Sequence, residues 1–196
     1  MVTRVRFPLG LLQSTINYLY LRQSIMKDVL YDVVNEKDEI VGKATRTEII
    51  KKGLYRRIVH VLLFDKDGRF LIIQRPSSDK AYPNQWTSSV MGHLELGEQF
   101  EEAASRELKE ELGISANLTL IGKFPDVSIR DGIEHKVVYG LFVGSVENIA
   151  GLELDSNEAQ AMKWMDIDAI EEDIKVNSEN YAIPFQKNLH YYLQHR

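Results

Sequence analysis

Apolar and polar residues alternate in short runs through the middle of the chain, a pattern typical of β-strands joined by turns. Residues 57–64 and 69–74 are rich in β-branched and apolar side chains, and Asp65-Lys66-Asp67-Gly68 joins them. A turn of this composition between two such runs predicts a β-hairpin. The same reasoning predicts a first hairpin from residues 29–34 and 39–42, and further strands at residues 86–91, 118–124, 134–146 and 160–165.

Helical patterns interrupt these strands, and the clearest of them covers residues 98–112. This segment is rich in Glu, Ala, Leu, Lys and Arg, lacks Pro and internal Gly, and stops at Gly113. Such a composition favours a helix, and glycine suits the left-handed turn that follows one. Other helices are predicted at residues 45–52, 166–173 and 181–194. The result is a mixed α/β (α+β) protein in which strands outnumber helices.

The helix at residues 98–112 carries the candidate chemistry. At about 100° per residue, Glu107, Glu110 and Glu111 share one helix face, so their carboxylates can converge on one point. Glu107 and Glu111 also overlap the direction of the apolar stripe, which consists of Phe100, Ala103, Ala104, Leu108 and Leu112. A solvated surface helix with a similar pattern is the alternative interpretation. That interpretation fits the charged positions on the opposite side, such as Glu101, Glu102 and Lys109, but it does not fit Glu107 and Glu111.

Carboxylates at the edge of a buried face need a counter-charge, because an unpaired desolvated charge is costly or is neutralised by a pKa shift. A divalent cation supplies that charge. Ligands that are all oxygen select hard ions, so Mg²⁺ is the predicted metal and Mn²⁺ its substitute. Arg106 precedes Glu107 directly, and we predict that it pairs with Glu98 and holds the preceding loop on the helix.

Composition and charge limit the classes of function. The chain has 196 residues, a formal net charge of −5 and no cysteine. This length suits one domain with extensions, and the acidic balance argues against nucleic-acid binding. Without cysteine there is no disulfide framework, thiolate metal site or thiol nucleophile, which agrees with a cytoplasmic location. No apolar run is long enough to span a membrane, so we predict no membrane partner.

Residues 1–26 differ from the rest, with basic side chains and no acidic ones. Three hypotheses stay open for this N-terminal extension: an added amphipathic helix, a start codon assigned too early with Met26 as the natural start, or a targeting leader. The predicted domain therefore covers residues 27–196.

Residues 92–114 read GHLELGEQFEEAASRELKEELGI, and this segment matches the signature of the Nudix hydrolases at every position. The resemblance implies an α/β/α sandwich with a mixed sheet and one catalytic helix. It also implies hydrolysis of a phosphoanhydride bond in a nucleoside-diphosphate-linked or related small molecule, by attack of water on phosphorus. The resemblance to this family also implies a homodimer. The catalytic positions implied are Glu98, Arg106, Glu107, Glu110 and Glu111, with Glu107, Glu110, Glu111 and the Met91 carbonyl as metal ligands, Glu110 being either a ligand or the base.

A second resemblance, over roughly residues 28–173, is to the isopentenyl-diphosphate isomerases and the hydrolases most like them. It rests on Gln74-Arg75, residues 80–83, Trp86-Thr87 and residues 89–93. The positions of Arg75 and Lys80 contact diphosphate in that branch, although a surface role is an equal alternative. Three further candidates are weaker: His93 for metal or phosphate, and Glu158 or Glu134 as the carboxylate that completes catalysis.

Departures from the isomerase pattern favour hydrolysis. Met91 stands where the isomerases have a proton-transferring cysteine, Lys136 interrupts an acidic pair, and Arg56 replaces a metal-binding histidine. A thioether cannot transfer a proton. An isomerase-like activity and a non-catalytic nucleotide-binding module remain as alternatives. The substrate itself is not readable, because specificity is expected in the loops around the second hairpin and in residues 126–135, which carry no motif.

Overall fold

The computed structural model describes residues 29–146 and 159–196. The predictions for the N-terminal extension, its boundary at residue 27 and Glu158 lie outside the described residues. In the described part of the chain, no helix is long and apolar enough to cross a membrane.

The described strands form one mixed sheet around a long central strand, β3 (Tyr55–Phe64). Along its whole length β3 pairs in parallel with β8 (Ile133–Ser145). Its other edge pairs antiparallel with β6 (Val90–His93), and its two ends contact β1 (Leu30–Val34) and β4 (Phe70–Gln74). The remaining strands are β2 (Ile40–Thr45), β5 (Trp86–Thr87), β7 (Leu118–Arg130) and β9 (Ala161–Met165).

Helices cover both faces of the sheet because β3 is apolar on both. Val59, Val61 and Leu63 point to one face, where they pack with helix α2 (Phe100–Leu112). Leu62 points to the other, where it packs in a second core with α3 (Ile167–Val176) and α4 (Ile183–His195). Strand side chains alternate between faces, which accounts for this division. A short helix, α1 (Arg46–Lys52), follows β2 and ends at Gly53. The predicted α/β/α sandwich is confirmed.

The single strand predicted at residues 86–91 is wrong. The structure has two short strands there, because β5 pairs with β4 whereas β6 pairs with β3. Ser88 and Ser89 make the crossing between them and are fully buried. The Ser89 hydroxyl donates to the Leu71 carbonyl at 2.6 Å and accepts from the Leu63 amide at 2.9 Å. These side-chain hydrogen bonds satisfy backbone groups of the neighbouring strands where Ser88 and Ser89 are not part of a strand.

The sequence predicted strands at residues 118–124 and 134–146 and no element for the residues between them, but almost all of residues 126–135 are strand. Strands β7 and β8 continue through this segment as a long antiparallel hairpin. Only Asp131 and Gly132 form the turn, and both have positive φ angles, 52° and 75°. Such a two-residue turn matches the twist of a hairpin. One face of this hairpin therefore becomes a wall of the site described next.

Candidate functional site

Arg106 holds the loop before α2 against the helix, as predicted. Its Nε donates to Glu98 Oε1 at 2.8 Å, and its Nη2 donates to Glu98 Oε2 at 2.9 Å and to the His93 carbonyl at 3.0 Å. Burial alone would raise the pKa of Glu98, but the hydrogen bonds and charge of Arg106 lower it overall. The hydrogen bonds to Glu98, followed by those to Glu107, in turn raise the pKa of Arg106 above its ordinary value. This bidentate pair fixes the end of β6 relative to α2.

Glu107 is far less exposed to solvent than Glu110 on the same helix. Its Oε1 accepts from Arg106 Nη1 at 2.8 Å, and the side chain is only 13% exposed. Burial raises the pKa of Glu107, and the nearby Glu110 and Glu98 add to this, although Arg106 opposes it. A partly buried carboxylate with a raised pKa is a group that a metal ion or a proton would stabilise.

Gly92 allows Glu107 to approach the sheet. A Cβ atom at residue 92 would overlap the Glu107 carboxylate, so only glycine permits this contact. The neighbours of Gly92, which are Met91 and His93, line a cavity of about 390 Å³. Glu107 is thereby held against the short strand that forms the cavity edge, next to the residue whose carbonyl was predicted to bind metal.

The predicted convergence of three carboxylates is not observed. Glu110 Oε2 accepts from the same Arg106 Nη1 at 3.2 Å, and its side chain is 61% exposed. Arg106 therefore lies between Glu107 and Glu110 and neutralises both. Glu111 is partly buried on the same helix. Within the described residues, no three His, Cys, Asp or Glu side chains are assembled as a ready metal site.

The donor set nevertheless fits a hard divalent cation. Carboxylates of α2 and the backbone of β6 supply oxygen only, and the contact at Gly92 brings Glu107 to that backbone. Oxygen ligands on two rigid elements suit Mg²⁺ or Mn²⁺.

The predicted substrate residues separate into two groups. Arg75, Lys80 and His93 all line the cavity, although Arg75 is already paired with Asp79. Burial, followed by the charges of Arg46 and Arg56, lowers the pKa of His93 well below its usual value. Glu134 is not among the lining residues. It lies near the turn of the β7–β8 hairpin and pairs with Lys136 at 2.8 Å.

A buried ion pair that the sequence did not predict also positions the acidic loop. Arg57 on β3 pairs with Asp32 on β1, and both side chains are less than a tenth exposed. Asp32 also accepts from the Gly97 amide at 2.9 Å, in the loop before α2. The register that places Val34 opposite Tyr55 also places these two side chains opposite each other. Opposite charges on neighbouring predicted strands were the available signal, but the register was not known.

Further cavity residues come from distant parts of the chain. Arg46 on α1, Arg56 on β3, Arg130 on β7 and His135 on β8 all line the cavity. Sequence reasoning treated Arg56 only as a departure from a histidine and did not predict the other three. The positions of Arg56, Arg130 and His135 depend on strand pairing between β3, β7 and β8.

Comparisons with known proteins show which family the chain resembles. Residues 54–184 match the family model described as the NUDIX domain. The chain is 31% identical over 163 residues to an isopentenyl-diphosphate Δ-isomerase of Serratia proteamaculans, covering 81% of this chain and 88% of that protein. It is 27% identical to a prenyl-diphosphate phosphatase of Methanosarcina mazei over 149 residues, covering 76% and 86% of the two chains.

A solved structure has a similar fold. A crystal structure of a Deinococcus radiodurans protein, DR0079, superposes with a TM-score of 0.68 at 22% identity, covering 83% of this chain and 99% of that one. At this identity the likeness shows the fold alone. With the family model matching well over half of the chain, the protein belongs to the Nudix family.

Proposed function

We propose that the protein is a Mg²⁺-dependent hydrolase that cleaves a phosphoanhydride bond in a nucleoside-diphosphate-linked or related small molecule. One observation carries this proposal. The partly buried Glu107 is held against Gly92, and the residues on either side of Gly92 line a cavity whose other walls are strongly cationic. Carboxylates for a metal and cations for phosphate oxygens are the two requirements of phosphoryl transfer.

The residues that would hold the metal are Glu107, Glu110, Glu111 and the Met91 carbonyl, with Mn²⁺ as a substitute for Mg²⁺. A bound divalent ion neutralises charge on the diphosphate and lowers the pKa of the attacking water. Arg106 keeps Glu98 and the His93 carbonyl in place, so the loop and the helix present these groups together. Glu110 is the more exposed carboxylate and is therefore better placed than Glu107 to accept a proton from water.

The runner-up is isomerisation of a prenyl diphosphate, which the Serratia proteamaculans relative favours. That reaction needs one group to protonate the alkene and another to deprotonate it. Met91, in the position of the protonating cysteine, lines the cavity and cannot supply a proton. Glu134, a candidate second acid, is outside the lining. Hydrolysis does not need this pair of groups, and the four glutamates and the arginine that the Nudix signature requires are all present, namely Glu98, Arg106, Glu107, Glu110 and Glu111.

A screen that detects release of either inorganic phosphate or a phosphomonoester tests the proposal. The panel covers nucleotide sugars, ADP-ribose, dinucleoside polyphosphates, damaged nucleoside triphosphates and, because of the Methanosarcina mazei relative, a prenyl diphosphate. We expect turnover with Mg²⁺ or Mn²⁺ that a chelator abolishes. Saturable binding without turnover across the panel would instead support a non-catalytic module. Deuterium incorporation from solvent into isopentenyl diphosphate would support the isomerase.

Two expectations belong to the same proposal. We infer a cytoplasmic location, from the absence of cysteine and the small-molecule substrate, and a homodimer from family habit. Analytical ultracentrifugation measures the second directly, and a monomer at all concentrations would contradict it.

A further inference from the structure

Arg56 is a cation without a counter-charge inside the cavity wall. Its Nε and Nη1 atoms are buried and have no hydrogen-bond partner among the described residues. Burial lowers the pKa of Arg56 to about 10, and the charges of Arg46 and Arg130 add to the effect. Buried polar groups in native proteins are nearly always satisfied, and an unpaired one is costly. The folded chain therefore tolerates an unfavourable charge at this position.

Other groups in the same corner share this property. His135 is only 6% exposed, and its Nδ1 atom is also buried without a partner in the described part of the chain. Burial lowers the pKa of His135, and so do the charges of Arg130, Arg56 and Arg46. Arg130 stacks over the Tyr82 ring at 5.5 Å. Arg46, Arg56 and Arg130 make no ion pair with a described carboxylate. All three line the cavity, so three unbalanced positive charges surround it.

The other charged residues of the cavity do not cancel this excess. Asp79 is the acidic residue among those that line it, and it is already paired with Arg75. Lys80 adds a further positive charge. The net charge of the lining is therefore well above zero, in a protein whose overall formal charge is −5. A cavity that concentrates charge of one sign selects a ligand of the opposite sign.

We propose that Arg46, Arg56, Arg130 and His135 form a binding site for a terminal phosphate group, so that the protein acts on diphosphate monoesters in preference to diphosphate diesters. This inference rests on the proposed function, since it names the substrate class of the same site. It assigns the monoester end of the substrate to the corner formed by α1, β3, β7 and β8 and the bridging oxygen to the side of α2.

The charge of a terminal phosphate matches the excess positive charge of this corner. A phosphate monoester carries a charge of about −1.5 to −2 at neutral pH, because its second pKa lies near 6. Each phosphorus of a diphosphate diester, as in ADP-ribose, carries one negative charge. Three guanidinium groups whose charge no described carboxylate balances favour the more negative phosphate monoester. Guanidinium groups also match the planar fork geometry of phosphate oxygens better than ammonium groups do.

The thermal stability of an Arg56→Met variant distinguishes a structural role for Arg56 from a role in ligand binding. If Arg56 stabilised the fold, its replacement by methionine would destabilise the protein. If it is held unpaired for a ligand, the Arg56→Met protein should unfold at the same temperature as wild type or higher in phosphate-free buffer, because a buried uncompensated charge has been removed. Thermal unfolding without ligand therefore separates the two roles before any binding is measured.

The binding experiment uses the full chain with a chelator present, so that no metal or turnover contributes. Isothermal titration with inorganic pyrophosphate is expected to show saturable binding that Arg56→Met weakens by about tenfold or more. The matched control is Arg69→Met. Arg69 lies in the β3–β4 hairpin, pairs with Asp65 and is not part of the cavity lining, so its loss should leave the affinity unchanged.

The substrate class is tested with ADP and ADP-ribose, which differ in whether the second phosphate is terminal. We expect ADP to bind more tightly by about tenfold or more, and this preference to shrink in Arg56→Met. Equal affinities in wild type, no pyrophosphate binding, or an Arg56→Met protein that binds like wild type would overturn the inference. Binding through Arg56 without phosphate release from any substrate would instead refute the proposed hydrolysis and leave this site standing.

Discussion

Replacing Gly92 by alanine should remove activity while leaving the fold nearly intact. The new Cβ would overlap the Glu107 carboxylate, which is the end of a flexible side chain. Carbon atoms pack at about 3.5 Å or more, so the carboxylate would have to move by roughly 1.5 Å. A misplacement of about 1 Å in an active site can cost about 100-fold in rate, so we expect a fall in kcat/KM of that order or larger.

The cost in stability should be small. Displacing the carboxylate sacrifices the hydrogen bond from Arg106 at 2.8 Å, which is worth about 1.5–3 kcal/mol for a charged pair. Part of that loss of stability is offset. Burial destabilises the ionised Glu107 carboxylate, as its raised pKa shows, and a displaced side chain is solvated again. A net change of about 1 kcal/mol lowers Tm by about 2–4 °C in a chain of this size.

Two alanine variants of other glycines serve as controls. Gly42 has open space around the added atom, so Gly42→Ala should change neither activity nor Tm measurably. Gly140 faces the Phe100 ring, which is 1% exposed and cannot move aside, so Gly140→Ala should cost about 1–3 kcal/mol in stability. Phosphate release and thermal unfolding are measured for all three.

A double mutant tests whether Gly92 acts through Glu107. In a Glu107→Gln background the carboxylate is already lost, so Gly92→Ala should reduce activity little further. Near wild-type activity for Gly92→Ala, or the same fold reduction in both backgrounds, would refute the reasoning.

Three other outcomes follow from the structure. Glu111→Gln should lower turnover by several orders of magnitude while leaving the fold intact, and near wild-type activity would contradict the metal assignment. Asp32→Asn should cost about 3–5 kcal/mol in urea unfolding, because it leaves Arg57 buried and unpaired; a loss below 1 kcal/mol would contradict this. Burial, and then the charge of Arg75, lowers the pKa of His60 to about 3. The unfolded chain therefore binds a proton below about pH 6.5 that the folded protein does not, so stability falls as pH drops from 6.5 towards 3, by up to about 1.4 kcal/mol per unit. His60→Gln should flatten that slope, and parallel pH profiles would contradict it.

The parts of the site that depend on local spacing could be predicted from the sequence. Helical periodicity placed Glu107 and Glu110 together, and Arg106 binds both. The eight-residue offset between Glu98 and Arg106 spans one loop end and two helical turns, so their pairing follows from the helix itself. The expected meeting of three carboxylates is not found among the described residues, where Arg106 binds both Glu107 and Glu110.

The β7–β8 hairpin was predicted only in part, as strands at residues 118–124 and 134–146, because the polarity of the segment near the turn is inverted. Along β7 the partly buried positions near the turn are polar, namely Asp126, Ser128 and Arg130, and the exposed positions are Val127 and Ile129. A strand is normally identified by apolar side chains on its buried face. Here Ser128 and Arg130 face a cavity and not a core, so the segment resembles an irregular loop in sequence and is a strand in structure.

The difference between Arg56 and Arg57 shows why the cavity needs the three-dimensional structure. In sequence they are an ordinary basic pair at the start of a strand. Because they are adjacent in a strand, their side chains point to opposite faces of the sheet. Arg57 meets Asp32 of β1 and is neutralised, whereas Arg56 enters the cavity, where none of the described carboxylates reaches it. The pairing of β3 with β1 therefore decides which arginine serves the fold and which is left for an anionic ligand.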